Sequence, residues 1–286
     1  MTVPLQDAAT VMLVRDAAAG GLEVFMLQRR LQSDFVGGAF VFPGGGVDPH
    51  DRSMDLEAVC AGRTDAEASH RLGIDDGGLS FWVAAIRECV EEAGVLLAYD
   101  RTGEVIALDD PETAARFTTH RDAVDRGGRP LVDVCVEEDL RLAVDQIYYF
   151  SHWITPEGAP RRYDTRFFLA AAPPAQEPLH DGRETITNLW VRPAEAIERH
   201  EAGEFSLIFP TLRSLVALAR FESAAEALSA AAALDHVPAI LPRIVADEGG
   251  VRIVLPGDAD YESALAGEWP AGGFAVGTPV RTPEAT

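Results

Sequence analysis

Positive charge is scarce in this chain. The sequence has 24 lysine and arginine residues against 46 aspartate and glutamate residues, which gives a formal net charge of −22 at pH 7. Nucleic-acid binding takes much of its affinity from basic side chains that neutralise phosphates. We therefore expect no nucleic-acid partner, although a local basic pocket is compatible with this composition. The acidity itself is typical of a protein kept in solution by its charge.

Cysteines and long apolar runs are also few. The three cysteines, Cys60, Cys89 and Cys135, are odd in number and far apart, so neither a disulfide framework nor a zinc ribbon is expected. No stretch approaches the roughly 18 apolar residues that indicate a membrane helix. The first residues lack the charged start and apolar core of a secretory signal. We expect a cytoplasmic protein with no membrane partner.

The order of the predicted segments indicates an α/β fold. Strands are predicted early in the chain, a helix follows over residues 80–93, more strands come after residue 145, and further helices follow. Ser80 is the predicted N-cap of the 80–93 helix and Gly94 its C-terminal stop, because serine accepts from unpaired amides and glycine adopts the left-handed conformation. This order favours an α/β sandwich with a mixed sheet.

Three glutamates are crowded on one face of the predicted helix. Glu88, Glu91 and Glu92 stand at positions i, i+3 and i+4, which share a helix face, and such like charges destabilise a helix by about 0.3 kcal/mol per pair. A divalent cation removes this conflict, because Mg²⁺ prefers carboxylate oxygens, waters and substrate phosphates. Arg87 can hold a neighbouring carboxylate by paired hydrogen bonds. The glutamates alone leave a solvated acidic face as the alternative.

A glycine-rich turn before this helix makes the pattern more specific. The run R-E-C-V-E-E-A-G-V at 87–95 matches the second half of the Nudix box, and F-V-F-P-G-G at 40–45 matches the usual lead into its first half. Glycines at such a turn let the backbone approach a metal and a diphosphate. The chain thus resembles the Nudix hydrolase superfamily, which implies a Nudix-type α/β/α sandwich with a mixed β-sheet.

Two alignments of the first half of the box are open. With Gly45 as the box glycine, Asp51 stands at the glutamate position and Arg87 follows Gly45 by 42 residues, so that about 28 residues interrupt the box. With Gly73 the box is uninterrupted, but Leu79 takes the glutamate position and the F-P-G-G segment is lost. We favour the interrupted box because lengthening a surface loop costs little closure entropy. The role of Asp51 is left open.

Interrupted boxes of this kind occur in a Nudix subgroup that resembles the peroxisomal coenzyme A diphosphatases and their bacterial relatives. The resemblance implies a Nudix domain over residues 1–222, with an insert at about 49–79 and a helical insert at about 108–142. Residues 223–286 are expected to be a C-terminal extension packed on the same domain, with a flexible tail at 270–286. A homodimer is a further expectation from the family.

The resemblance implies metal-dependent hydrolysis of a diphosphate linkage in a nucleoside diphosphate derivative. Coenzyme A or an acyl-CoA is the leading substrate, although a longer signature of the coenzyme A-cleaving proteins is only half matched. ADP-ribose, NADH, a dinucleotide and a capped RNA end are alternatives, as is a non-catalytic ligand-binding Nudix protein. The metal, Mg²⁺ or Mn²⁺, would be held by Glu88, Glu91 and Glu92 with help from the Gly45 region, and Arg87 would orient Glu88.

The proton acceptor and the diphosphate-binding groups are less well defined by the resemblance. The general base is either Glu88 or a carboxylate of a later loop, and our choice for the latter is Glu184, which borders a predicted strand. Arginines suit phosphate recognition because their planar donors pair with two oxygens at once. The residues that we predict to bind the diphosphate form two short clusters: Arg29 and Arg30 at a strand end, and Arg162 and Arg166 on one face of another strand.

Overall fold

The structure is a computed structural model that describes residues 3–32, 37–52, 56–247, 250–259, 261–262 and 264. Its strands, in chain order, are β1 (Leu5–Asp16), β2 (Leu22–Arg29), β3 (Phe40–Val41), β4 (Gly44–Gly46), β5 (Ala98–Tyr99), β6 (Arg141–Leu142), β7 (Ile147–Ile154), β8 (Arg162–Ala171), β9 (Thr185–Val191), β10 (Ala239–Ile240), β11 (Arg243–Asp247) and β12 (Gly250–Val254).

The helices, in chain order, are α1 (Leu56–Val59), α2 (Asp65–Leu72), α3 (Leu79–Glu88), α4 (Pro111–Asp125), α5 (Leu131–Glu138), α6 (Pro193–Glu201), α7 (Phe209–Leu218) and α8 (Ala224–Ala232). A π-helical turn, Cys89–Ala93, continues α3, and Pro49–Arg52 forms a 3-10 turn. Among the helices of the described ranges, none has the length and apolar character needed to cross a bilayer.

A mixed sheet organises the molecule. Within the described residues it has eight strands in the order β10-β7-β8-β1-β2-β3, with β4 beside β1 and β9 beside β2. Strand β1 runs parallel to β8 and antiparallel to both β2 and β4. The predicted mixed sheet is therefore confirmed. This arrangement sets the glycines of β4 next to the long central strand β1.

Each face of the sheet is covered by helices. Side chains of a strand alternate between its two faces, and along β1 Val11 and Leu13 enter a core shared with α3, whereas Met12 and Val14 enter a second core with α7 and α8. The predicted α/β/α sandwich is confirmed by these two cores. Helix α8 packs against β1, β7 and β8, so the start of the 223–286 segment lies on the second face. The tail at 270–286 lies outside the described residues.

The insert at 49–79 contains more regular structure than its polar sequence indicates. Helix α2 was not predicted, although Thr64 and Glu67 form a reciprocal capping box at its start, a pattern that is readable in sequence. The predicted N-cap Ser80 is wrong, because α3 already begins at Leu79. The insert supplies the acceptor: the Leu79 amide donates to Asp65 Oδ1 at 2.9 Å. The predicted left-handed stop at Gly94 is confirmed, with φ of 67°.

Candidate metal and diphosphate site

The acidic end of α3 lies against the protein interior. All residues of α3 are buried, including Arg87 and Glu88 at its end. The following π-helical turn carries Glu91 and Glu92, and π-helical turns of this kind are frequent at functional sites. A helix that is apolar along its length must be surrounded by core, so its last turn brings three carboxylates into a largely desolvated position.

Arg87 is the centre of the site. It is only 6% exposed, and its Nη1 donates to Glu88 Oε1 at 2.9 Å and to Glu91 Oε2 at 3.0 Å. Its Nη2 donates to the carbonyl oxygen of Gly46 at 2.6 Å. The guanidinium thus orients two of the three glutamates and ties them to β4.

The opposite edge of Arg87 is held by Asp51. Arg87 Nε donates to Asp51 Oδ1 at 3.0 Å, and Nη2 donates to Oδ2 at 3.0 Å. Asp51 is 2% exposed, and its Oδ2 also accepts from the Asp48 amide at 2.8 Å. Leu79, which the uninterrupted alignment would put in this place, is buried in the apolar core at the start of α3. Asp51, and not Leu79, is therefore the residue that contacts the arginine of the box.

The glycines of β4 give the carboxylates room. The Gly44 amide donates to Glu92 Oε2 at 3.0 Å. A Cβ atom at Gly45 would overlap the carboxylate of Glu88, so a side chain there would displace Glu88. The sequence indicated that glycine permits close approach at this turn, and the structure shows that the approaching group is a carboxylate of α3.

The three carboxylates fit a hard divalent cation. Each uses one oxygen in a hydrogen bond: Glu88 Oε1 and Glu91 Oε2 accept from Arg87, and Glu92 Oε2 accepts from Gly44. Within the described ranges, the second oxygen of each is without a hydrogen-bond donor. Carboxylate oxygens in this arrangement are the ligands that Mg²⁺ takes together with waters and phosphates.

Burial raises the pKa values of all three glutamates. Burial raises the pKa of Glu88 to about 7, although the charge of Arg87 lowers it. Burial likewise raises the pKa of Glu91 to about 7, again against the effect of Arg87. The pKa of Glu92 is raised by burial and then by the charge of Glu88. One arginine does not compensate for three desolvated carboxylates, which is the condition that a bound cation relieves.

Arg29, Arg30 and Glu184 lie together beside Glu92. Arg29 Nη2 is 3.4 Å from Glu184 Oε2, and the Arg30 amide donates to the carbonyl oxygen of Glu184 at 3.0 Å. The charge of Arg29 lowers the pKa of Glu92 and that of Glu184 raises it, so this pair is within electrostatic range of the site. Arg30 Nη2 also donates to the Gly182 carbonyl oxygen at 2.6 Å.

Arg162 and Arg166 occupy a different place on the sheet. Both lie on β8 and are buried, and Arg162 Nε donates to the Thr155 carbonyl oxygen at 3.1 Å. Arg166 pairs with Asp164 at 2.9 Å, and its guanidinium lies 4.4 Å from the centre of the Phe81 ring. Across the described part of the chain, neither arginine forms a hydrogen bond or ion pair with the three glutamates. Their substrate role stays a prediction.

A second acidic group is already neutralised by arginines. The ligand atoms of His120, Glu137 and Glu138 lie within 4.8 Å of one another. However, Arg116 donates to Glu138 at 2.9 Å, and Arg129 pairs with Glu137. Because these cations already balance the carboxylates, we assign no metal to this group.

Sequence reasoning missed one residue that contacts the site. Arg121 of α4 donates to the backbone carbonyl oxygens of Glu91 and Glu92 at 3.0 and 3.1 Å. It belongs to the 108–142 segment, about 30 residues from the box, and no local motif identifies it. Only the packing of α4 on the π-helical turn brings it to the site.

The sheet, the glycines of β4 and the carboxylate turn held by Arg87 and Asp51 together define a Nudix hydrolase. A family model described as the NUDT19 Nudix domain matches residues 70–218, just over half of the chain. The chain belongs to this NUDT19 Nudix domain family. The predicted relation to a Nudix subgroup that resembles coenzyme A diphosphatases is confirmed by this match.

Similar proteins agree with this assignment. The human acyl-coenzyme A diphosphatase NUDT19 is 30% identical over 283 residues, covering 86% of this chain and 74% of the human protein. The protein of the same name from Gallus gallus is 30% identical and covers 84% of this chain and 72% of its own length. A NUDIX hydrolase from Alicyclobacillus acidocaldarius superposes with a TM-score of 0.64 at 27% identity, over 79% of this chain and 96% of that one. The predicted Nudix fold and enzyme class are confirmed.

Proposed function

We propose that this chain hydrolyses the diphosphate linkage of coenzyme A and of its acyl esters, with Mg²⁺ or Mn²⁺ held by Glu88, Glu91 and Glu92. The observation that carries the metal assignment is the set of three desolvated carboxylates, each with one oxygen that accepts no hydrogen bond from the described residues. The substrate assignment is supported by the 30% identity to an acyl-coenzyme A diphosphatase.

The proposed reaction is a displacement at phosphorus. A water oxygen forms a bond to one phosphorus of the diphosphate, the bond from that phosphorus to the bridging oxygen breaks, and the proton of the water passes to a base. From coenzyme A the products are adenosine 3′,5′-bisphosphate and 4′-phosphopantetheine. An acyl-CoA gives the acylated phosphopantetheine, because the thioester lies far from the reacting phosphorus.

Positioning by this chain's own residues supports the reaction. Arg87 holds Glu88 and Glu91 through Nη1, and the Gly44 amide holds Glu92, so the carboxylates are oriented before substrate arrives. A divalent cation bound there would neutralise charge on the non-bridging oxygens and lower the pKa of a bound water. Fixed groups of this kind contribute strongly because they do not reorganise during the reaction.

The proton acceptor in this proposal is a carboxylate. Glu184 is our choice, since its side chain is 63% exposed to solvent and pairs with Arg29 at 3.4 Å. Glu88 is the alternative, because it accepts from Arg87 through only one oxygen. A positioned base of either kind typically contributes 10²- to 10⁴-fold to the rate, roughly.

Arg29 is the arginine that we propose to bind the diphosphate. Its Nε atom is buried and has no hydrogen-bond partner in the described residues, so it retains a donor for a phosphate oxygen. Its present partner, Glu184, is mostly exposed, and such ion pairs contribute little and exchange readily. Arg30 follows on the same loop. Planar arginine donors suit bidentate contacts to phosphate.

We also propose that residues 1–222 form the Nudix domain, with the inserts at 49–79 and 108–142, and that residues 223–286 extend it. The packing of α8 on the sheet supports the placement of this extension on the same domain. The cytoplasmic location and the homodimer stay predictions.

A product assay tests the substrate assignment. The protein would be incubated with coenzyme A, an acyl-CoA, ADP-ribose, NADH and a dinucleoside polyphosphate, each with Mg²⁺ or Mn²⁺, and the products identified by mass spectrometry. We expect the highest kcat/KM for coenzyme A or the acyl-CoA. A higher value for ADP-ribose or NADH would contradict the substrate assignment, and metal binding without hydrolysis of any compound would contradict catalysis itself.

A further inference from the structure

The carbonyl groups at the end of the metal-binding helix have a partner outside the helix. The last carbonyls of a helix lack an amide partner within it and must be satisfied from elsewhere. Here the Cys89 and Val90 carbonyl oxygens accept from the amides of Val95 and Gly94. The next two belong to Glu91 and Glu92, and both accept from Arg121, through Nε at 3.0 Å and Nη2 at 3.1 Å.

Gly94 provides the space for this arginine. Its φ of +67° is in the left-handed region that favours glycine. In addition, a Cβ atom at Gly94 would lie 2.7 Å from Arg121 Nη1. The glycine that ends the box therefore permits the arginine of α4 to reach the two carbonyl groups.

Helix α4 also holds the segment that leads to Glu184. Arg121 Nη2 donates to the Leu179 carbonyl oxygen at 2.9 Å, and Asp125, one turn later on α4, pairs with Arg183. The Leu179 amide donates to the Ala93 carbonyl oxygen at 2.9 Å. One side chain thus joins the metal-binding turn to the 179–184 segment.

We propose that Arg121 is a positioning residue that sets the backbone of Glu91 and Glu92 in the geometry needed to bind the metal. This inference rests on the proposed function, because it takes both glutamates as metal ligands. The Nε and Nη2 atoms of one planar guanidinium donate to consecutive carbonyl oxygens, so a change at Arg121 alters the direction of both carboxylates together. Groups that orient metal ligands typically change metal affinity or activity by about 10- to 100-fold when they are replaced.

The test is Mn²⁺ binding followed by electron paramagnetic resonance, together with turnover against metal concentration. For Arg121→Gln we expect the Kd of Mn²⁺ to rise about tenfold, with turnover partly restored at high metal. Arg126→Gln is the matched control, because Arg126 ends α4 and its exposed side chain pairs with Asp122; its Kd should equal that of the parent. A parental Kd in folded Arg121→Gln would overturn the proposal.

Arg121→Lys covers the case in which Arg121→Gln does not fold. Lysine keeps the charge but not the planar pair of donors, so we expect its Kd for Mn²⁺ to lie between those of the parent and Arg121→Gln. If Arg121→Gln does not fold, we expect the Kd of Arg121→Lys to exceed that of the parent. A parental Kd for Arg121→Lys would show that the paired contact with the carbonyl oxygens is not needed. Failure of the proposed function is distinguishable, because the parent itself would then bind Mn²⁺ no more tightly than Glu92→Gln does.

Discussion

The carboxylate of Asp51 accepts hydrogen bonds from Nε and Nη2 of Arg87 across 36 positions of sequence, with both residues buried. This contact joins the two halves of the interrupted box. The intervening insert carries α1 and α2, which pack in the core shared with α3.

Removal of the Asp51 charge should destabilise the folded protein and slow catalysis. Asp51→Asn leaves the Arg87 charge less well compensated, and breaking a buried pair typically costs about 3–5 kcal/mol. We expect a lower free energy of unfolding in urea and a lower kcat. The matched control is Asp76→Asn, since Asp76 is an exposed aspartate of the same insert. Equal losses in both variants would contradict the role of Asp51.

A methyl group at Gly45 should displace Glu88. Gly45→Ala introduces a Cβ atom where the Glu88 carboxylate now lies, so we expect weaker metal binding and reduced turnover. Gly46→Ala is the control, because its Cβ would come no nearer than 3.9 Å to the Asp7 carbonyl oxygen. Isothermal titration calorimetry with Mn²⁺ measures the metal affinity of both variants. Unchanged affinity in Gly45→Ala would show that Glu88 is not fixed by this contact.

Stabilisation by metal should increase with pH. Burial raises the pKa of Glu88 and Glu91 from 4.5 to about 7. From about pH 4.5 to 7 the metal-free folded protein therefore holds protons there that the unfolded chain has lost, and the contribution of these groups to the free energy of unfolding falls as pH rises. Metal binding must displace these protons, so it is favoured at higher pH.

The corresponding measurement is the rise in Tm on adding Mg²⁺. We expect a small rise at about pH 5.5 and a larger one at about pH 8, and a reduced dependence in Glu91→Gln. Equal shifts at both pH values would contradict the assignment of these carboxylates as the ligands.

Replacement of Glu184 separates the two proposed bases. If Glu184 accepts the proton, as we propose, Glu184→Gln should lower kcat by about 10²-fold or more with little change in KM. The control is Glu177→Gln, which changes an exposed glutamate before the same loop. A near-parental kcat in Glu184→Gln would assign the proton transfer to Glu88 instead.

The sequence predicted the parts of this site that are local. The spacing of Glu88, Glu91 and Glu92 follows from helix periodicity, and the glycine turn follows from its composition. Contacts between segments that are distant in sequence were harder to predict. Asp51 was found only by alignment with a motif, and its contact with Arg87 depends on how the insert folds. Arg121 was missed because no periodicity links it to the box.

The arginines show a similar limit. Arg162 and Arg166 share a strand face, as their spacing predicted, but burial and pairing with Asp164 are set by tertiary packing. Helix α2 is a different case, because its capping box at Thr64 and Glu67 was readable and was overlooked in a polar, glycine-containing stretch.

Turnover of coenzyme A by Glu92→Gln tests whether the three glutamates hold a catalytic metal. Release of adenosine 3′,5′-bisphosphate would be followed by mass spectrometry with saturating Mg²⁺, with circular dichroism confirming the fold and Glu201→Gln, at an exposed position on α6, as the control. We expect turnover to fall by at least about two orders of magnitude in Glu92→Gln, because a metal ligand is lost, and to stay parental in the control. Near-parental turnover in a folded Glu92→Gln would contradict the metal site described for this chain.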